Sequence, residues 1–256
     1  MISSTTNAKV KYVRRLQADR RFRSREQAFV VEGTRWFSEL PPHTALVRTI
    51  YYTPEWGQAP GNAALLARVA APQEVVSPAV MGAMSATETA AGILAVVAYR
   101  PLPLPPQPSL LLILDAVRDP GNLGTLLRTA AAAGAEGVLL APGCVDAANP
   151  KAVRASMGAL LRLPVLALGW DAIAQATASL HVWLADAAGE VEYTAVDWRP
   201  PAALIVGGEA HGAGSAAARV ASGRLAIPMH AQTESLNAAM AAGIILFEAA
   251  RQRRAG

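Results

Sequence analysis

Apolar positions along the 256-residue chain recur with two periods, and their alternation predicts the secondary structure. Val10, Val13 and Leu16 fall at helical spacing and leave Lys11, Arg14 and Arg15 outward. Residues 28–33 read as a short strand ending in a glycine, 45–52 and 93–99 as strands, and 63–69 as a helix. Together they describe a small α/β domain. From Leu110 onward the alternation is more regular. Strands are predicted over 110–114, 137–140, 165–168, 181–185, 203–206 and 225–227. Helices are predicted over 123–133, closed by Gly134, and over 150–161, 172–178 and 235–253. Repeated strand–helix alternation with short turns predicts a mostly parallel sheet covered by helices.

Between the two patterns lies RPLPLPPQPS, in which Pro101, Pro103, Pro105, Pro106 and Pro108 remove backbone donors and fix φ. Regular patterns resume sharply on either side, so a stiff linker over 100–109 is favoured over a long internal loop. The resulting division is 1–99, 100–109 and 110–256.

Charge sharpens this division. Between Lys9 and Arg35 nine basic residues face only Asp19, Glu26 and Glu32, whereas the whole chain carries only +4. Such a segment suits a polyanionic partner, and a solvated basic helix is the plainer alternative. Hydrophobic residues at 52% against 16% charged support a packed core and exclude disorder. Cys144 is the only cysteine, which excludes an internal disulfide and a Cys-rich zinc site. No run approaches the ~18 to 20 apolar residues of a membrane span. The first residues lack the apolar core of a signal peptide. The expectation is a soluble cytoplasmic protein without metal or membrane.

Three clusters carry candidate chemistry. In LDAVRDPGNLGTLLR, residues 114–128, a strand gives way to a turn and a helix, with Asn122 where an N-cap belongs. Arg128 follows Gly124 by one helical turn, over a surface expected to be bare, and a guanidinium there suits a phosphate. Spacing alone leaves equal room for an ordinary cap beside a solvated arginine. In LIVGGEAHGAG, residues 204–214, an apolar strand runs into a glycine-rich turn, where α/β sheets bind ligands. No G-K-[ST] follows, so a phosphate-binding P-loop is excluded. The match of Gly212 to Ala217 with G-x-G-x-x-A is weak, because little chain remains for a dinucleotide fold. The third cluster, residues 225–240, joins a short strand, a polar loop and a helix capped by Ser235 or Thr233. Leu236, Met240, Ile244 and Phe247 form an apolar stripe expected in the core. Asn237 beside that stripe is expected to need partners from backbone or ligand.

In this order, LDAVRDPGNLGTLLRTA, LIVGGEAHGAG and IPMHAQTESLNAAMAAGIILFEAAR resemble the motifs of the SpoU (TrmH-like) branch of the SPOUT RNA methyltransferases. NPKAVRASMGALLRLPV is similarly typical, and ISSTTNAKVKYVRRL with FVVEGTR resembles the substrate-binding domain often fused in front. The resemblance implies a trefoil-knotted catalytic domain behind an L30e-like RNA-binding domain, working as a homodimer. It implies S-adenosyl-L-methionine held by Gly207, Gly208, Ile227, Met229, Leu236 and Asn237. It implies catalytic roles for Arg128, Asn122, Glu209, Ser235 and Asn237. Lys11, Arg14, Arg35 and Arg128 are the expected RNA contacts. The implied reaction is methylation of a ribose 2′-hydroxyl in structured RNA, with ribosomal RNA favoured. A resistance methyltransferase, a transfer-RNA enzyme and a silent ribosome-assembly factor are the competing readings. A nicotinamide dehydrogenase is the remote one.

Overall fold

The computed structural model describes residues 1–41, 44–208, 212–230 and 235–254. The chain divides into two compact units, Met1–Arg100 with Ala148–Gly158, and Pro101–Ala147 with Ala159–Gly256.

In the first unit, Asn7 caps α1 (Ala8–Ala18) by accepting from the Lys9 amide. Val10, Val13 and Leu16 are fully buried, and Lys11, Arg14 and Arg15 are exposed, as their spacing predicts. A second helix, α2 (Arg20–Glu26), escaped the sequence reading, because four arginines in seven residues hide its apolar period. Its Phe22 and Arg23 are both buried. Arg23 donates to the carbonyls of Leu16 (2.8 Å) and Gln17 (3.2 Å) near the end of α1. Those carbonyls lack helical partners, so the arginine both satisfies them and meets the negative end of the dipole. Arg15 and Arg25 lie over the Phe22 ring, 4.3 and 4.9 Å from its centroid. Part of the basic excess is therefore structural.

The remaining elements of this unit are β1 (Ala28–Glu32), α3 (Thr34–Ser38), β2 (Val47–Tyr52), α4 (Pro54–Gln58), α5 (Asn62–Ala67), β3 (Gln73–Val75), α6 (Pro78–Met84) and β4 (Ile93–Ala98). The sheet order is β1-β4-β2-β3, with β4 antiparallel to both neighbours and β2 parallel to β3. β1 and β4 are buried along their whole length, which explains their unbroken apolar runs. Glu32 is the exception, a buried carboxylate at the end of β1. It accepts from the Ser85 hydroxyl, the Ala86 amide (3.1 Å) and the Thr87 hydroxyl (3.1 Å), and so holds the loop after α6.

The second unit opens with residues 101–108, which form no regular element. They are held down, since Leu104 packs against the core and sits in the space left by Gly137. A Cβ on Gly137 would lie 2.3 Å from Leu104 Cδ2. There follow β5 (Leu110–Asp115), α7 (Pro120–Ala133) and β6 (Gly137–Leu140). The helix α8 (Pro150–Ser156) groups with the first unit, where the Trp36 indole donates to the Val153 carbonyl at 2.8 Å. The helix expected over 150–161 stops here, because Met157 (φ 46) and Gly158 (φ 80) are both left-handed. A 3₁₀ turn at Ala159–Leu161 replaces its last part.

Next come β7 (Val165–Ala167), α9 (Trp170–Ala176), β8 (His181–Ala185), β9 (Val191–Glu192), β10 (Ala202–Gly207), α10 (Ser215–Val220), β11 (Gly223–Ala226) and α11 (Ala238–Arg254). The seven strands form one parallel sheet in the order β7-β6-β5-β10-β8-β11-β9. The mostly parallel sheet expected from the alternation is therefore present. β10 lies beside β5, nearly a hundred residues earlier in the chain.

The long final helix differs from expectation in two ways. It starts at Ala238 rather than Ser235. The stripe expected in the core is largely outward: Met240 is 61% and Phe247 46% exposed, Ile244 is half-buried, and Leu236, just before the helix, is 37% exposed. Its buried face is Ala239, Ala242, Ile245, Leu246, Ala249 and Ala250. α11 packs along α7, whose own buried face includes Gly124, Ala130 and Ala133. Four of the six buried positions of α11 are alanines, and Met240 and Phe247 lie outside that inward face. The end of α11 is tied down where Gln252 donates to the Val196 carbonyl (2.9 Å) and Arg253 to the carbonyls of Ser109 (2.7 Å) and Pro200 (2.9 Å).

Replacing Glu32 by Ala leaves three donors without their acceptor. It is expected to lower stability by about 1–3 kcal/mol, read from the midpoint of urea denaturation. Glu32→Gln, which keeps a carbonyl oxygen, is expected to lose less.

Candidate active site

β5 and β10 end side by side, with Asp115 opposite Gly207. Everything that follows gathers at this edge. Beyond β5 the chain turns through Ala116 in the left-handed region (φ 55) and enters α7. Asp119, not Asn122, is the N-cap, accepting from the Asn122 amide at 2.8 Å, with Pro120 at the first helical position. The expected cap falls inside the helix because Pro120 can begin it without a free N–H. Gly124, expected to leave a bare surface under Arg128, is itself buried.

Asn122 has a different engagement. Its Oδ1 accepts from Asn237 Nδ2 at 3.1 Å. Asn237 in turn caps α11, its Oδ1 accepting from the amides of Ala239 (2.9 Å) and Met240 (3.3 Å). The capping role expected of Ser235 or Thr233 thus belongs to Asn237, and Thr233 lies outside the described residues. Asn237 is exposed rather than buried. One amide side chain closes a helix end with its oxygen and joins the first motif to the third with its nitrogen.

The glycine-rich turn is pressed against β5. A Cβ on Gly207 would lie 2.1 Å from the Gly212 carbonyl carbon, and one on Gly208 would lie 2.3 Å from the Ala116 oxygen. Asp115, nearly buried, accepts from the Gly214 amide at 2.7 Å and anchors the far side of the turn. The glycines therefore serve first to let two backbone segments touch.

Over this edge opens a cleft of about 590 Å³. It collects all six residues expected to hold a cofactor: Gly207, Gly208, Ile227, Met229, Leu236 and Asn237. Ser235 also lines it. Asn122 reaches its rim through Asn237. Arg128 is exposed on α7 and is not among the lining residues. Glu209 lies outside the described residues. Lys11 and Arg14 on α1, and Arg35 on α3, are exposed in the first unit. The sequence reading missed Asp115 and Asp186, each directly after an apolar strand run; Asp186 also lines the cleft. Acids at strand ends near a glycine turn were the available signal. Among the described residues no three His, Cys, Asp or Glu side chains come together as a metal site, and no helix is long and apolar enough to cross a membrane.

Two family models match the chain: the SpoU rRNA Methylase family over residues 109–247 and the MRM3-like substrate binding domain over residues 7–95. The chain is 41% identical over 190 residues to rRNA methyltransferase 3A, mitochondrial, of Danio rerio, covering 56% of this chain and 44% of that one. It is 43% identical over 150 residues to the 23S rRNA (guanosine-2′-O-)-methyltransferase RlmB of Xylella fastidiosa, covering 57% and 59%. The matches thus span about half the length of these relatives. Among solved structures, the SpoU methyltransferase AviRb from Streptomyces viridochromogenes, in complex with the cofactor AdoMet, aligns with a TM-score of 0.89. It is 29% identical, with 98% of this chain and 99% of that one covered.

Asn237→Ala removes the α11 cap and the bond to Asn122 together. It is expected to cost about 1–2 kcal/mol, measured by thermal denaturation. Asn237→Asp keeps the capping oxygen and loses only the donor, so its loss is expected to be smaller.

Proposed function

Because the chain belongs to the SpoU rRNA methylase family, we propose that it transfers a methyl group from S-adenosyl-L-methionine to a ribose 2′-hydroxyl in structured RNA, with ribosomal RNA as substrate. The observation that carries this reading is the single cleft into which the glycine turn and the segment before α11 converge. The names of RlmB and of the AdoMet-bound AviRb support it.

The residues present fit the cofactor. A cleft of about 590 Å³ lies in the range that takes small ligands, and it combines backbone at Gly207 and Gly208 with apolar Ile227, Met229 and Leu236. S-adenosyl-L-methionine, when bound, supplies an activated methyl group on a sulfonium. The chain's task is then to align a ribose oxygen with that carbon. In this reading Arg128 grips the neighbouring phosphate and stabilises the developing alkoxide. A guanidinium holds its proton too tightly to serve as the base. Asn122 and Asn237 hold the two helix ends in register around the reacting groups, Ser235 adds a hydrogen bond, and Glu209 is a further catalytic residue. Lys11, Arg14 and Arg35 bind RNA phosphates.

Two further parts of the proposal concern architecture. The backbone around the cleft is a trefoil knot. Supporting it are the insertion of β10 between β5 and β8, and the return of α11 to α7 with its tail bonded to the connection before β10. The protein works as a homodimer, with a second copy covering Met240 and Phe247. The exposure of these two large apolar side chains on α11 supports this.

Arg128→Ala is expected to reduce labelled-methyl transfer to ribosomal RNA by about 100-fold or more. Calorimetric affinity for S-adenosyl-L-methionine is expected to stay unchanged, and normal turnover in this variant would refute the assignment. Phe247→Glu is expected to halve the mass seen by sedimentation, and an unchanged mass would remove the proposed interface.

A further inference from the structure

The cleft carries one charge that the proposed mechanism does not use. Among its described lining residues Asp186 alone has an ionisable side chain. It follows the end of β8 and is held from several sides. Its amide donates to the Leu225 carbonyl (3.0 Å), its carbonyl accepts from the Gly189 amide (3.0 Å), and its Oδ1 accepts from the Ala188 amide (2.9 Å). The turn is pressed onto β11, where a Cβ on Gly189 would lie 2.4 Å from the Leu225 carbonyl carbon. The carboxylate is therefore fixed in place. Its partner is Arg224, whose Nη1 lies 3.4 Å from Oδ2. Both side chains are partly exposed, at 47% and 34%, so this pair is loose and leaves much of the negative charge available.

Resting on the function proposed above, we propose that Asp186 determines which form of the ligand the cleft prefers: it favours the cationic sulfonium over the neutral thioether, and Arg224 tempers that preference. In the transfer the sulfonium carbon–sulfur bond breaks and a carbon–oxygen bond forms. The sulfur keeps the bonding pair and becomes neutral, and the hydroxyl proton passes to solvent water with the positive charge. The ligand thus loses one unit of charge inside the cleft while Asp186 stays put. A fixed carboxylate lining the same cleft favours the charged ligand by about fivefold, at an effective dielectric between that of a protein surface and water. It acts more on the ground state than on the transition state, because the sulfonium charge fades as the reaction proceeds, so its removal raises KM and does not lower kcat.

The test is calorimetry on the full chain with S-adenosyl-L-methionine and with S-adenosyl-L-homocysteine. Asp186→Asn is expected to weaken binding of the first about fivefold and to leave the second within about twofold. Turnover of the same variant is expected to show a raised KM and a kcat that does not fall. Asp186→Glu is expected to keep the preference, and Arg224→Ala to widen it. Equal losses for both ligands, or no loss for either, would overturn the inference, since the carboxylate would then only shape the turn. A wild-type protein that binds neither ligand would instead sink the functional reading on which the inference rests.

Discussion

The backbone contact between the glycine turn after β10 and the end of β5 is the constraint from which the site follows. Gly207 and Gly208 approach Gly212 and Ala116 so closely that no other residue fits without moving main chain. Asp115 completes the contact by accepting from Gly214. A carboxylate bonded to a backbone amide in a nearly buried place is a strong, directional tie. With the turn held on that edge, the ends of β8, β10 and β11 form one wall of the cleft.

The opposite wall depends on the packing of α11 along α7. α7 contributes Gly124, Ala130 and Ala133, and α11 contributes Ala239, Ala242, Ala249 and Ala250, to their buried faces. This packing brings the N-terminal ends of the helices together, so that Asn237 bonds Asn122. The same packing turns Met240 and Phe247 outward. Packing at one face thus bears on both the geometry of the site and the apolar surface left exposed.

In the first unit, charge is divided between folding and surface. Arg23 is buried against the end of α1, and Arg15 and Arg25 cover Phe22. Lys11, Arg14 and Arg35 remain exposed. A count of basic residues therefore overstates what is free to meet a polyanion, because an arginine stem packs as well as its head pairs.

Periodicity by itself determined the two α/β patterns, the buried stripe of α1, and the strands that are apolar on both faces, because burial of a regular element is a local property of its residues. It also marked the three clusters at which the site assembles, since glycine, proline and asparagine punctuate strand ends for local steric reasons. Only the tertiary structure decided the rest. Placing β10 beside β5 depends on pairing across nearly a hundred residues. The outward turn of the α11 stripe depends on how closely α7 approaches. The caps moved to Asp119 and Asn237 because of where each helix begins in three dimensions. Asp115 and Asp186 acquire meaning only when distant backbone amides and strands are brought beside them, and no local pattern records that.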